Sequence, residues 1–220
     1  MDETEAKSMI SRLPKFTICV IALCIASSKI DALAALFVYD IEAISKGEIW
    51  RLFTSHFVHF GAMHLIYNIL AFGITGWIIE YKGFRYFKPL CLLMAVSISA
   101  TLIIFKPEMV YFGGLSGVAC GSIIYCSLLC LQEPPPWPTL SILTIIFLFV
   151  KIILEVYNGG SLLPNLGTQR FVPMPLSHIA GSITALLLFL LTKKNILDER
   201  EKGHAKRARR RATSWSREIL

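Results

Sequence analysis

The sequence predicts an all-α membrane protein built on six transmembrane helices, and three observations carry that expectation. Of 220 residues, 55% are hydrophobic and only 17% are charged. The mean hydropathy of +0.60 is well above what a soluble domain of this size has use for. Six apolar segments approach the roughly 20 residues that a bilayer core requires of a helix. They lie at 15–37, 62–80, 88–106, 114–132, 139–157 and 172–192. The chain therefore reads as a short N-terminal segment (1–14), one helical domain (15–192) and a basic tail (193–220), with no internal repeat and no separate soluble domain.

The first segment follows Met1-Asp-Glu-Thr-Glu-Ala-Lys, which lacks the positive n-region and cleavage site of a signal peptide, so it reads as a retained span. Lys29 and Asp31 interrupt it. The next stretch, 38–61, is too polar to span and contains Ile49-Trp50-Arg51-Leu52. Segments two and three are joined by the basic turn 81–88, and residues 107–113 lead into the fourth. Glu133-Pro-Pro-Pro-Trp-Pro138 cannot continue a helix and separates the fourth segment from the fifth. Residues 158–171, with Asn, Gly, Pro and Thr, form a flexible connection to the last. The six cysteines (19, 24, 91, 120, 126 and 130) all fall inside apolar segments and read as small core- or lipid-facing residues.

Charge orients the layout. The 81–88 turn carries Lys82, Arg85 and Lys88, and the chain from Lys193 onward carries ten Lys/Arg against four Asp/Glu. With six spans these two regions share a side, which the positive-inside rule makes cytoplasmic, together with both termini. The basic tail reads as an anchor on anionic lipid and not as a nucleic-acid surface. The loops 38–61, 107–113 and 158–171 then face the other compartment.

Chemistry concentrates in three places. Tyr111-Phe-Gly-Gly-Leu-Ser-Gly-Val-Ala-Cys-Gly121 opens an apolar segment with Gly113, Gly114, Ser116, Gly117 and Gly121, although each glycine costs about 1 kcal/mol of helix propensity relative to alanine. On this stretch alone, a small-residue packing seam explains the glycines as well as a nucleophile does. His64 and Asn68, at i and i+4, share a helix face in a hydrocarbon setting, where such residues mark function by default. They could lock the bundle by an interhelical hydrogen bond or donate to a developing oxyanion. His178 opens the last segment, with Gly181 and Ala185 on its own face. This stripe and Gly117-x-x-x-Gly121 would let two helices pack backbone to backbone and bring His178 to Ser116, the pairing that general-base activation of a serine needs. No membrane aspartate is placed to complete a triad, so the expectation is a Ser116–His178 dyad. Lys151 and Glu155 read as an i,i+4 ion pair near the membrane boundary, and Glu80 as an anchor for the basic turn through Arg85 or Lys82.

Taken together these residues resemble the rhomboid family of intramembrane serine proteases. The matching pieces are Trp50-Arg51, His59-x4-His64-x3-Asn68, Glu80 with Gly83-Phe-Arg-Tyr-Phe87, Gly114-Leu-Ser-Gly117 and His178-x2-Gly181-x3-Ala185, covering about 40 to 190. The resemblance implies a six-helix bundle acting on transmembrane protein substrates in the bilayer, with no cofactor or metal. It makes Ser116 the nucleophile, His178 the base, and His64, Asn68 and the Ser116 N–H the oxyanion site, with Trp50 and Arg51 as structural support. The implied setting is a bacterial inner membrane, with the site opening on the periplasmic side. The chain looks most like the rhombosortase subgroup, on Tyr39-Asp40, Gly47-Glu-Ile-Trp-Arg-Leu-Phe-Thr, His56-Phe-Val-His59, Tyr111-Phe-Gly-Gly-Leu-Ser-Gly and Lys151-x3-Glu155. That subgroup implies removal of C-terminal GlyGly-type anchors from exported proteins. Ala185 departs from the glycine many rhomboids carry there. Two other classes stand beside this reading. One is a metallohydrolase drawing zinc ligands from His56, His59, His64 and His178; the other is a rhomboid-like protein that binds membrane clients without cleaving them, although such relatives typically lack the Ser or His.

Overall fold

A computed structural model describes residues 13–159 and 174–218, so most of the 1–14 segment and of the 158–171 connection lies outside the described residues. The helices are α1 (Lys15–Lys29), α2 (Asp31–Phe37), α3 (Ile41–Ser45), α4 (Arg51–Thr54), α5 (Ala62–Tyr81), α6 (Phe87–Phe105), α7 (Ser116–Cys130), α8 (Trp137–Asn158) and α9 (Pro175–Glu218). Two short strands, β1 (Tyr39–Asp40) and β2 (Tyr111–Phe112), pair antiparallel. Among the described residues, four helices are long and apolar enough to cross a bilayer: α5, α6, α8 and Pro175–Ile196 of α9.

The expected first span, 15–37, is broken. Ile30 is extended, and α1 and α2 meet there at 113°. The cause is local: Lys29 and Asp31 flank the break, and neither is at ease in hydrocarbon, whereas Asp31 is favourable in the first turn of a new helix. If the bent pair counts as one span, the candidates number five. The fourth expected segment is the 15-residue α7, shorter than a full span. Eleven of its residues are buried, against three of the 22 in α8. So α7 is the inner helix, packed on α5, α6 and α8, while α8 presents most of its surface outward.

Glu80 has a different job from the one expected of it. Its carboxylate accepts from Phe16 N at 3.1 Å, Thr17 N at 2.8 Å and Thr17 Oγ1 at 2.6 Å. The first turn of α1 has no side-chain cap of its own, and a carboxylate both satisfies its orphan N–H groups and suits the positive end of the helix. Lys82, the other partner expected of Glu80, instead meets Glu133 at 3.1 Å and lies 5.1 Å from the centre of the Trp137 ring.

The first loop is tied down by polar contacts. Asp40 caps α3, accepting from Glu42 N at 3.0 Å and Ala43 N at 3.1 Å. Arg51 is buried and donates to Ala35 O at 2.7 Å, Val38 O at 2.8 Å and Glu48 Oε2 at 2.7 Å. Trp50 Nε1 donates to Leu36 O at 3.3 Å. Together these close the carbonyl end of α2, where a helix leaves its last C=O groups without partners.

By chain contacts the protein divides into a unit ending at Leu186 and a second from Leu187 to Leu220. Within the first, α7 meets the start of α9 backbone to backbone. A methyl on Gly117 would sit 2.7 Å from Ser177 O, and one on Gly121 would sit 2.5 Å from Gly181 O and collide with Met94 Sδ. Gly181 in turn faces Gly117 O with no room for a side chain. Ser97 Oγ and Thr184 Oγ1, 2.7 Å apart, add a hydrogen bond between α6 and α9. The second unit continues α9 as helix through Glu218, consistent with its Ala, Lys, Arg and Glu content.

Because the α7–α9 contact has no free volume, Gly181→Val is expected to destabilise the fold by at least the 1–3 kcal/mol typical of overpacking. A lowered thermal midpoint in detergent checks this.

Candidate active site

The residues just before α7 are held in an irregular shape by the first loop. Gly114 has φ +141°, and a side chain there would strike the His64 ring, its Cβ lying 2.7 Å from Cε1. Both the backbone conformation and the close approach therefore require glycine. Gly114 N donates to Ser55 O at 3.2 Å. His59 Nδ1 lies 3.1 Å from Phe57 O, and its Nε2 faces the Leu115 N–H at 3.4 Å. That is the pattern of a neutral imidazole, donating at Nδ1 and accepting at Nε2. His56 is buried, with Nε2 3.1 Å from Ala95 O and Nδ1 3.4 Å from Gly114 O. Burial lowers the pKa of both side chains from the usual histidine value, that of His59 to about 4. The strand pair Tyr39↔Phe112 and Asp40↔Tyr111 continues the same clamp one step upstream.

Ser116 follows as the first residue of α7. It lines a cavity of about 660 Å³ together with His178, His64, Asn68, Lys151 and Glu155. The cavity runs between α5, α7 and α8, and its remaining wall is largely apolar, including Ala71, Phe147 and Leu154. His64 and Asn68 enter from one face of α5, both buried. Asn68 Nδ2 has no hydrogen-bond acceptor among the described residues. His64 packs edge-on against His59, ring centres 5.0 Å apart. His178 enters from the first turn of α9, one residue past Ser177, whose carbonyl abuts Gly117. The four residues singled out for chemistry, drawn from three helices, thus share one cavity. Gly114 abuts the His64 ring, and Gly117, Gly121 and Gly181 form the neighbouring α7–α9 contact. Trp50 and Arg51 are not among the residues lining it.

Two groups of residues have partners that the sequence does not reveal. Lys151 and Glu155 form the expected i,i+4 ion pair, but Glu155 has a further partner. It is 2% exposed, and its Oε2 lies 3.0 Å from His178 Nδ1. Lys151 Nζ donates to both Glu155 oxygens at 2.8 Å. The i,i+4 spacing revealed the Lys–Glu pair, but nothing in the sequence says that the carboxylate faces α9. His56 and His59 are also more than candidate zinc ligands, since their ring nitrogens are engaged by backbone groups. Among the described residues no three His, Cys, Asp or Glu side chains converge as a metal site.

The sequence profile of the Rhomboid domain matches residues 46–195. Among curated proteins, the Rhomboid protease GlpG of Salmonella paratyphi A, that of Salmonella choleraesuis and that of Salmonella newport are each 26% identical to this chain over 157 residues. Each alignment covers 71% of this chain and 53% of the relative, so the chain spans about half the length of the curated relatives it matches.

The loop histidines make the support of Ser116 sensitive to acid. With a folded-state pKa lowered to about 4 against an ordinary 6.5, His59 takes up its proton in the unfolded chain first. The stability it contributes is therefore intact above about 6.5 and lost as pH falls toward 4. Thermal midpoints measured across this window should fall with acidification, and His59→Gln, which can still donate and accept but does not titrate, should flatten the dependence.

Proposed function

Because the chain belongs to the rhomboid family, we propose that it is an intramembrane serine endopeptidase with Ser116 as nucleophile and His178 as general base and acid. The observation that supports this most directly is the cavity shared by Ser116, His178, His64 and Asn68. Ser116 Oγ attacks the scissile carbonyl carbon and passes its proton to His178 Nε2. The oxygen that becomes negative is met by Asn68 Nδ2–H, His64 and the Ser116 backbone N–H, one of the orphan donors at the start of α7. Collapse of the tetrahedral species returns the proton from His178 to the leaving nitrogen, and water then hydrolyses the ester on Ser116. General acid–base transfer of this kind contributes about 10²–10⁴-fold. Each oxyanion donor contributes about 10²–10³-fold in kcat.

In this reading six helices cross or enter the bilayer, with the short α7 as the fourth. Both termini lie in the cytoplasm, the cavity opens toward the periplasmic side of a bacterial inner membrane, and the basic segment from Lys193 rests on anionic lipid. The substrate is a membrane-anchored protein cut in or near its transmembrane segment. The finer reading is a rhombosortase that removes C-terminal GlyGly-type anchors. Its support is the Tyr39-Asp40 and Tyr111-Phe112 signature pieces, which pair as β1 and β2 beside the serine.

Fluorophosphonate labelling and cleavage of a transmembrane substrate in proteoliposomes test the proposal. Ser116→Ala should lose both signals, and Asn68→Ala should lower kcat by about 10²-fold or more with little change in KM. Cleavage by Ser116→Ala at the wild-type rate would sink the assignment. Client binding that outlasts loss of Ser116, with no cleavage of any substrate, would favour a non-proteolytic rhomboid-like protein. A GlyGly-anchored substrate cut no faster than the same anchor with both glycines replaced by leucine would remove the subgroup reading alone.

A further inference from the structure

We infer that Glu155 is a third member of the reacting group, a positioning residue that holds His178 in the tautomer and orientation Ser116 needs, and that Lys151 keeps Glu155 ionised for that purpose. This rests on the assignment of Ser116 and His178 above, and it replaces the expected two-residue machinery with a Ser–His–Glu arrangement whose carboxylate comes from α8.

Glu155 Oε2 and His178 Nδ1 are 3.0 Å apart, and the two side chains are 2% and 3% exposed. A carboxylate can only accept, so the hydrogen sits on Nδ1 and the Nε2 lone pair is left for the serine. An ionised carboxylate buried this deeply needs a cation and several donors. Lys151 Nζ supplies both, at 2.8 Å from each oxygen, and Lys151 also lines the cavity. With His178 neutral, the Lys151–Glu155 pair carries no net charge. When His178 accepts the serine proton, the new positive charge forms directly against Glu155. An interaction that strengthens in the transition state lowers the barrier; one equally strong before it does not. Glu155 takes no proton in this scheme. It orients the ring and faces the imidazolium, while the transferred proton moves only between Ser116 Oγ, His178 Nε2 and the leaving nitrogen.

The competing account is that Glu155 merely neutralises Lys151 inside the bundle. The two accounts differ in what a neutral pair should do. We predict that Glu155→Gln lowers kcat and the rate of fluorophosphonate labelling on the order of 100-fold while KM stays within about twofold. Glu155→Asp, which keeps the carboxylate, should recover a substantial part of the rate. The double variant Lys151→Met with Glu155→Gln removes both charges and should remain as slow as Glu155→Gln. Wild-type kcat in Glu155→Gln, or its return in the double variant, would overturn the inference. If Glu155→Gln alone does not fold, the double variant carries the test, because it leaves no unpaired charge. Failure of the underlying assignment looks different: wild-type protein that is not labelled at Ser116, or Ser116→Ala that still cleaves.

Discussion

The rest of the structure depends on one contact, the approach of α9 to α7 at Gly117, Gly121 and Gly181. A Cβ at any of the three would meet backbone of the opposite helix. Helices that touch through their backbones are fixed in register as well as in distance, since there are no side chains to repack. Ser116 and His178 each sit one turn or less from this contact, so their relation is set by main chain. The glycines lower the intrinsic stability of both helices, and the fold recovers that loss through the buried environment of α7. The packing seam also fixes where Ser116 sits, so the two explanations that compete in the sequence are compatible.

Four histidines around the site occupy different electrostatic settings, and the settings separate their roles. His56 and His59 face backbone groups in a buried loop and hold the turn before Ser116 in place. His64 closes over Gly114, where only a hydrogen fits beneath it. His178 has a carboxylate 3.0 Å from its ring nitrogen. Burial is what keeps His56 and His59 neutral, His59 using one ring nitrogen to accept from Leu115 N, whereas His178 has a carboxylate against its ring. The residue type is the same; the partner decides what it does.

Much of this was legible in the chain. The apolar segments located α5, α6, α8 and the membrane part of α9 to within a few residues, because hydrocarbon length is a simple constraint and these helices obey it. The i,i+4 logic placed His64 with Asn68, and the small-residue stripes anticipated the α7–α9 contact. What failed was partnership across distance. Glu80 was given a neighbour in the following turn, but its partners are Phe16 and Thr17, more than sixty residues earlier. Glu155 was paired along its own helix, and its second bond, to His178, crosses to another. No membrane aspartate stands near His178 in the sequence, yet the carboxylate of Glu155 reaches it from an adjacent helix. The break at Ile30 was half visible, since Lys29 and Asp31 announced that something would yield without saying that the chain would turn through 113°.

The clamp on the residues before Ser116 has a consequence for how the protein is made. Every group in that clamp, from Tyr39 and Ser55 to His64, precedes Ser116 in the chain, and each meets a partner at or near 111–115. The carboxylate and the imidazole come afterwards, on α8 and α9. Translation therefore delivers the shaped turn at Ser116 first, and Glu155 and His178 last. The cavity that Ser116 lines lacks its His178 wall until α9 docks on Gly117. On this order of synthesis the site is assembled only when the last helix arrives, so under the proposed function a half-inserted molecule has no complete site.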